Sequence, residues 1–279
     1  MSNLSAQTVM TALTTRRLGR PTLFFPRIGS TNDVVHELAA TGAAEGLLVL
    51  ADEQTAGRGR LDRSWWAPPG ASVLMSLLLR PALSARLAGQ LPMCLGLATV
   101  EGIETVTGLR PSLKWPNDVV WNRGKLGGML TELRADGERL DYAVLGLGLN
   151  VNLTFDEPSG ADREADGAIA PSLPSATEGL STTAVSLLMA AGRPVDRAAL
   201  VIALLERCEA WYERLLSGEP LHEAWAARLD TLGRQVVVTL PAGTLTGVAV
   251  GVTLEGALIV RRTDGTDEAI WAGDVTTLR

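Results

Sequence analysis

The sequence predicts an α/β protein of the α+β kind: a mixed sheet with helices packed on it, closed by a small β unit. Three observations predict it. Short apolar strand-like runs alternate with amphipathic helical patterns from Leu23 onward. The last stretch, after Gly233, changes to four or five short strands without an intervening helix. With 279 residues the chain fits one large unit plus a small one, since single cores stop growing at roughly 250 to 300 residues.

In chain order, Ser5 to Leu18 reads as one short helix, too little for the three-helix unit that sets a recognition helix into a DNA groove. Leu47 to Leu50 and Val73 to Leu79 are apolar runs beside turn residues, the pattern of interior strands covered on both faces. Leu87, Leu91, Leu95 and Ala98 recur at helical spacing after a capping Ser84, and Pro92 implies a kink or a late start. Thr131 to Leu133 and Tyr142 to Leu149 flank the turn signal Ala135-Asp136-Gly137, which predicts a hairpin. Asp156 to Ala176 is rich in Pro, Gly, Asp and Ala without periodicity, so a long mobile surface loop is expected. Leu200, Leu204, Cys208, Trp211 and Leu215 form the buried stripe of a helix capped by Asp196, and a second helix follows over Leu221 to Leu229. The change of period near Thr231 divides the chain into domains 1–230 and 231–279.

Composition narrows the function. Apolar residues are 46% and charged residues 20%, and no apolar run reaches the roughly 18 to 20 residues of a membrane span. No secretory pattern opens the chain, so a cytoplasmic protein is expected. The formal charge of −6 argues against nucleic acid as a partner. Cys94 and Cys208 sit in apolar helical patterns and read as buried thiols, and His36 and His222 lack metal-ligand spacing.

Two polar stretches carry chemistry. Gly57-Arg58-Gly59-Arg60, with Arg63, Trp65 and Trp66, follows one buried strand and precedes another. Glycines let backbone N–H groups and guanidinium forks close on a phosphate or carboxylate; a solvated loop or an arginine-rich nucleic-acid segment is the alternative. Lys114-Trp115-Pro116-Asn117-Asp118 and Arg123-Gly124-Lys125-Leu126-Gly127-Gly128 bring two lysines, a carboxylate and an amide close in sequence. That set suits a metal–phosphate group, because Mg²⁺ needs only one or two protein carboxylates beside phosphate oxygens. Gly146 and Gly148 alternate on one strand face, the mark either of tight packing or of a ligand that approaches closely. Neither a P-loop nor a dinucleotide-binding fingerprint is present.

Taken in order, Gly29-Ser30-Thr31-Asn32, Gly57-Arg58-Gly59-Arg60 with Trp65, Lys114 to Asp118, Lys125-Leu126-Gly127-Gly128 and Gly148-Leu149-Asn150 resemble the biotin protein ligases over nearly the whole chain. The resemblance implies a sheet with helices on one side, an SH3-like barrel for the last fifty or so residues, and a ligase that converts biotin and ATP to biotinyl-AMP with Mg²⁺. The partner it implies is the biotin carboxyl carrier domain of acyl-CoA carboxylases, with the enzyme a monomer or weak homodimer. Lacking a helix-turn-helix, it is expected to be monofunctional.

By the same resemblance Lys125, Arg58, Arg60 and Asp118 are the catalytic residues. Ser30, Thr31, Asn32, Gln54, Arg58, Gly59, Arg60, Lys125, Gly128 and Gly148 hold biotin, and Arg60, Arg63, Trp65, Lys125 and Asn150 the adenylate. Asn117 and Asp118 carry Mg²⁺ or the incoming lysine. Asp62 departs from the family's pattern, standing where it commonly has a glycine in the arginine loop. A lipoate ligase with a longer pocket, and a non-catalytic biotin-binding module, are the competing readings.

Overall fold

The computed structural model describes residues 4–61, 63–155, 184–241 and 243–278. The expected loop at Asp156 to Ala176 and the departure at Asp62 both lie outside the described residues.

The first helix, α1 (Ala6–Ala12), is shorter than the expected Ser5 to Leu18. Ser5 caps it, accepting from the backbone N–H of Thr8. Its end has two causes. Thr14 and Thr15 are β-branched, and the Glu209 carboxylate takes the N–H groups of Arg16, Arg17 and Leu18 at 2.7, 2.8 and 2.9 Å, which a longer helix would need for itself. The next elements are β1 (Thr22–Ile28), α2 (Thr31–Ala40), β2 (Leu48–Gln54) and β3 (Ser72–Leu79). A 3₁₀ turn over Ala85–Gly89 leads into α3 (Gln90–Thr107). Pro92 thus falls in the first helical turn, where no donor is missed, and the late start holds. Ser84, expected to cap, makes no side-chain capping bond to the 3₁₀ turn that intervenes.

Then come β4 (Ser112–Lys114), β5 (Asp118–Trp121), β6 (Gly124–Asp136) and β7 (Arg139–Asn150), the last two forming the expected hairpin with longer arms. After α4 (Leu187–Ala191), the Asp196 side chain accepts from the N–H groups of Ala198 and Ala199 and starts α5 (Arg197–Leu216) as foreseen. The short α6 (His222–Ala226) follows.

These strands make one seven-stranded mixed sheet in the order β1-β2-β3-β7-β6-β5-β4, with β1 and β2 parallel and the other neighbours antiparallel. Strand β3 is buried along its whole length, so both faces of the sheet need cover. On one face Met75, Leu77, Leu145 and Leu147 pack into the core with α3 and α5, where the buried free thiols of Cys94 and Cys208 lie 3.9 Å apart. The other face is not left bare: Val35 and Ala39 of α2 pack on Val49, Leu78 and Val144. Helices therefore cover both faces, a correction to the one-sided arrangement, and the reason is that β3 and β7 are apolar at alternate as well as intervening positions.

The chain closes with β8 (Gln235–Leu240), β9 (Gly243–Val252), β10 (Leu258–Arg261), β11 (Asp267–Ile270) and β12 (Asp274–Thr277) in a separate antiparallel sheet ordered β11-β10-β9-β8-β12. It touches the large unit through Trp115, whose indole N–H donates to the Gly256 carbonyl at 3.0 Å.

Candidate active site

Strand register lays out the floor of the site. Ala51, Leu74, Gly148, Gly128, Asp118 and Lys114 form a single row across six strands, so they share the face that α2 covers only in part. Two adjacent glycines in the middle of that row leave a flat depression, and a carboxylate and an ammonium group stand at its end. Above it opens a cavity of about 280 Å³. Its lining includes Ser30, Thr31, Asn32 and Gln54 from one side, Arg58, Gly59, Arg60, Arg63 and Trp65 from the arginine loop, and Asn117, Asp118, Lys125, Gly128 and Gly148 from the sheet.

The first group is a polar clamp. Gln54 Oε1 accepts from the Thr31 N–H at 2.7 Å and from its hydroxyl at 3.0 Å, which fixes the amide and leaves the Nε2 donor for a ligand. Ser30 precedes α2 yet makes no side-chain capping bond, so its buried hydroxyl is also available. Asn32 Nδ2 donates to Glu132 Oε2 at 2.6 Å and to the Leu130 carbonyl at 3.3 Å, and Ser76 Oγ lies 2.5 Å from Asn32 Oδ1. Asn32 thus offers the cavity an acceptor and Gln54 a donor, a pair that suits a ring bearing both N–H and C=O.

The glycines of β7 make room for this clamp and for the loop. A Cβ on Gly146 would come within 2.3 Å of Asn32 Oδ1, and one on Gly148 within 2.5 Å of Trp65 Cε2. The loop folds back on itself through Trp65 N–H to Gly57 carbonyl at 2.9 Å and a bridge between Arg58 and Ser64. Its tryptophan lies flat over Gly148, with Lys125 Nζ 5.8 Å from the ring centroid. Of the two readings left open for the glycine strand, side chains of the site itself are what approach.

Four cations converge here, Lys125 held by a group on the neighbouring strand and the three arginines by groups from more distant segments. Lys125 Nζ pairs with Asp118 Oδ1 at 2.7 Å, and Arg58 with Asp33 at 2.5 Å and Glu132 at 3.3 Å. Arg63 pairs with Asp274 of the closing sheet. Arg60 donates to Asn117 Oδ1 at 3.3 Å, and burial lowers its affinity for a proton against the raising fields of Asp118 and Asp274. Half-buried in the cavity wall, it stays charged, as arginine does in proteins.

Asn150 is the exception among the expected site residues. Its amide donates to the carbonyls of Lys125 at 3.4 Å and Val185 at 3.2 Å, joining chain segments instead of lining the cavity. Glu132, Asp33, Asp274 and Ser76 were not singled out from sequence. Period-two counting from Gly128 along β6 reaches Leu130 and then Glu132 on the same face, which was the available signal for that residue.

Comparison with known proteins gives the family. Residues 24–150 match the model of the biotin/lipoate A/B protein ligase family, and residues 231–276 that of the biotin protein ligase C terminal domain. The chain belongs to the biotin protein ligase family and is a ligase. Among its relatives, the bifunctional ligase/repressor BirA of Bacillus subtilis is 33% identical over 98% of this chain and 78% of its own length. The biotin--[acetyl-CoA-carboxylase] ligase of Paracoccus denitrificans is 32% identical over 84% of this chain and 92% of its own. A solved biotin protein ligase from Aquifex aeolicus, in complex with biotin and ATP, superposes with a TM-score of 0.70 at 27% identity, covering 92% of this chain and 98% of that one.

Proposed function

We propose that this ligase activates biotin as biotinyl-5'-AMP, releasing pyrophosphate, and passes the biotinyl group to a lysine of a biotin carboxyl carrier domain. The observation that carries the reading is that Arg58, Arg60 and Lys125, from two separated stretches, line one cavity together with the Ser30 to Asn32 and Gln54 clamp. The solved relative that binds biotin and ATP supports the choice of substrates.

In the first step a biotin carboxylate oxygen attacks the α-phosphorus and pyrophosphate leaves. Charge that builds on the phosphate is met by Lys125, Arg58 and Arg60, a preorganised set for which loss of one donor costs roughly 100-fold or more. The donor from Gln54 and the acceptor on Asn32 hold the ureido ring, while Gly148 makes room for Trp65. Arg63 and Trp65 order the loop over the adenylate. In the second step a neutral lysine amine attacks the acyl carbon and AMP leaves; Asp118 orients the amine or takes its proton.

Mg²⁺ carried by ATP supplies charge neutralisation at the phosphates. Among the described residues no three His, Cys, Asp or Glu side chains converge on one point, so a protein cage for the ion is not on offer. Asp118, with one carboxylate oxygen on Lys125 and the other open, would fit an ion that keeps most of its ligands from phosphate and water, whereas Asn117, whose one side-chain oxygen already accepts from Arg60, would offer only that oxygen's remaining lone pair. The chain divides for this work at 230/231, the closing unit reaching the cavity through Asp274 and Val275. No helix among the described residues is long and apolar enough to cross a membrane, and the need for ATP favours the cytoplasm.

The test is incubation with biotin, ATP, Mg²⁺ and a carrier domain, followed by intact mass. A gain of one biotinyl group on the carrier, absent with lipoate, is the expected result; no gain on the carrier and no pyrophosphate reject the reading.

A further inference from the structure

One side chain outside the cavity joins the clamp to the arginine loop. Glu132 does not line the cavity, yet its Oε2 accepts from Asn32 Nδ2 at 2.6 Å and from Arg58 Nη2 at 3.3 Å, and lies 3.4 Å from His36 Nε2. Asn32 and Arg58 belong to different elements, 26 positions apart in sequence, and both line the cavity. The two Asn32 amide protons are satisfied by Glu132 and, more weakly, by the Leu130 carbonyl. That fixes the amide with Oδ1 over Gly146, where a Cβ would come within 2.3 Å of it. Without the carboxylate the amide loses its shorter donor bond and keeps only the Leu130 carbonyl and the Ser76 hydroxyl, and because that hydroxyl can accept as well as donate, the amide can turn and put a donor where the cavity now has an acceptor.

Resting on the biotin ligase reading, we propose that Glu132 is a positioning residue that sets the hydrogen-bonding polarity of Asn32 toward the biotin ring and holds Arg58, so that the ring pocket and the adenylate loop are aligned by one carboxylate. It acts through those two side chains and touches neither substrate. His36 shares the same oxygen and is itself held by Tyr142, its Nδ1 lying 3.2 Å from the phenol oxygen, so the carboxylate is braced from behind.

Two effects follow, and they separate by variant. Glu132→Ala removes both contacts, and a hydrogen bond to a charged group is worth at least about tenfold in affinity. Its KM and calorimetric Kd for biotin are expected to rise by about that factor, with kcat for pyrophosphate release falling less, because the shorter Asp33 contact still holds Arg58. Glu132→Gln keeps an oxygen for Asn32 but gives up the charge facing Arg58, so biotinyl-AMP dissociates faster while biotin affinity changes less. The Asn32→Asp/Glu132→Gln pair reverses the donor and acceptor across the same contact, keeps an acceptor over Gly146, and is expected to recover most of the biotin affinity lost by Glu132→Ala. A merely structural role would lower the melting temperature and leave KM and Kd alone. Biotin KM and Kd within twofold of wild type in folded Glu132→Ala, or no recovery in the double variant, overturn the proposal. Wild-type enzyme that releases no pyrophosphate with biotin and ATP rejects the ligase reading instead, so the two failures are distinct.

Discussion

Gly148→Ala is a single added methyl group whose effect can be worked from distances. Its Cβ would stand 2.5, 2.7 and 2.9 Å from Cε2, Nε1 and Cδ2 of Trp65, where carbon atoms in contact prefer about 3.5 to 4.0 Å. The sheet cannot yield, since Gly148 is paired on both sides, so the indole must retreat by about 1 Å. Trp65 is tied to Gly57 through its backbone N–H, and Arg58 and Arg60 lie between them, so the loop shifts with it. Misplacing catalytic groups by about 1 Å costs on the order of 100-fold, or about 2.7 kcal/mol in the barrier. Overpacking in a rigid core costs about 1 to 3 kcal/mol, and a half-buried ring on a loop relaxes toward the low end, so the melting temperature falls by only a few degrees. The assay is pyrophosphate release with biotin and ATP. Gly128→Ala is the matched comparison in the same row: its Cβ would meet Lys125 Cε and Nζ at 3.4 Å and Asp118 Oδ1 at 3.6 Å, ordinary contacts, so a loss below tenfold is expected. Folded Gly148→Ala with kcat/KM within threefold of wild type, or a greater loss in Gly128→Ala, refutes the reasoning.

Lys125→Ala is expected to abolish pyrophosphate release with the fold intact, as judged by circular dichroism, because Lys125 is a partly exposed surface of the cavity and its partner Asp118 keeps access to water. Arg60→Gly is expected to let biotinyl-AMP escape and to label bystander proteins; unchanged selectivity in a capture of biotinylated proteins would count against that. Asp118→Asn removes the charged partner of Lys125 and the group proposed to handle the amine, so pyrophosphate release should stay within tenfold while transfer to the carrier falls at least 100-fold. A parallel fall in both half-reactions would reject this division of labour. For Glu209, burial raises the carboxyl's affinity for a proton, but the N–H groups of Leu18, Arg16 and Arg17, with the charge of Arg17, outweigh it and hold it below the usual range. Its stabilisation is therefore present above the unfolded-state value near 4.3 and is lost as pH falls through the lower folded-state value. Melting temperatures of wild type and Glu209→Gln should differ at pH 7 and converge in acid; a constant gap across that range would contradict the assignment.

Much of this was legible from sequence because it is local. The α5 stripe and its Asp196 cap, the β6–β7 hairpin and the shift to short strands after Gly233 each follow from spacing within a few residues. The cations and glycines of the candidate site also sit in compact runs that stand out in the sequence, whereas Ser30 to Asn32 and Gln54 entered only through the family resemblance. What escaped depends on pairs far apart in the chain. Glu209 shortens α1 from about 190 positions away, and Asp274 reaches Arg63 from 211. Asn150, which the resemblance brings to the adenylate, ends the glycine strand, and only the tertiary arrangement shows its amide on the carbonyls of Lys125 and Val185.

The counter-charges around the cavity also rank its cations. Gathering Arg58, Arg60, Arg63 and Lys125 into one small volume is repulsive, and carboxylates from four different segments offset it before any anion arrives. Such pairs are not equivalent. Arg58 and Asp33 are about half exposed, so their bond is weak and readily exchanged for a phosphate oxygen. Lys125 and Asp118 are more sheltered and hold each other more firmly, which makes Asp118 a competitor that an incoming carboxyl–phosphate junction must displace. Arg60 alone of the four has a neutral amide and no bonded carboxylate among the described residues, and its burial is the largest influence on its titration. The group with the greatest unmet demand for an anion is therefore Arg60, at the centre of the arginine loop. That is why its loss is expected to show first as failure to retain the adenylate, ahead of any failure to form it.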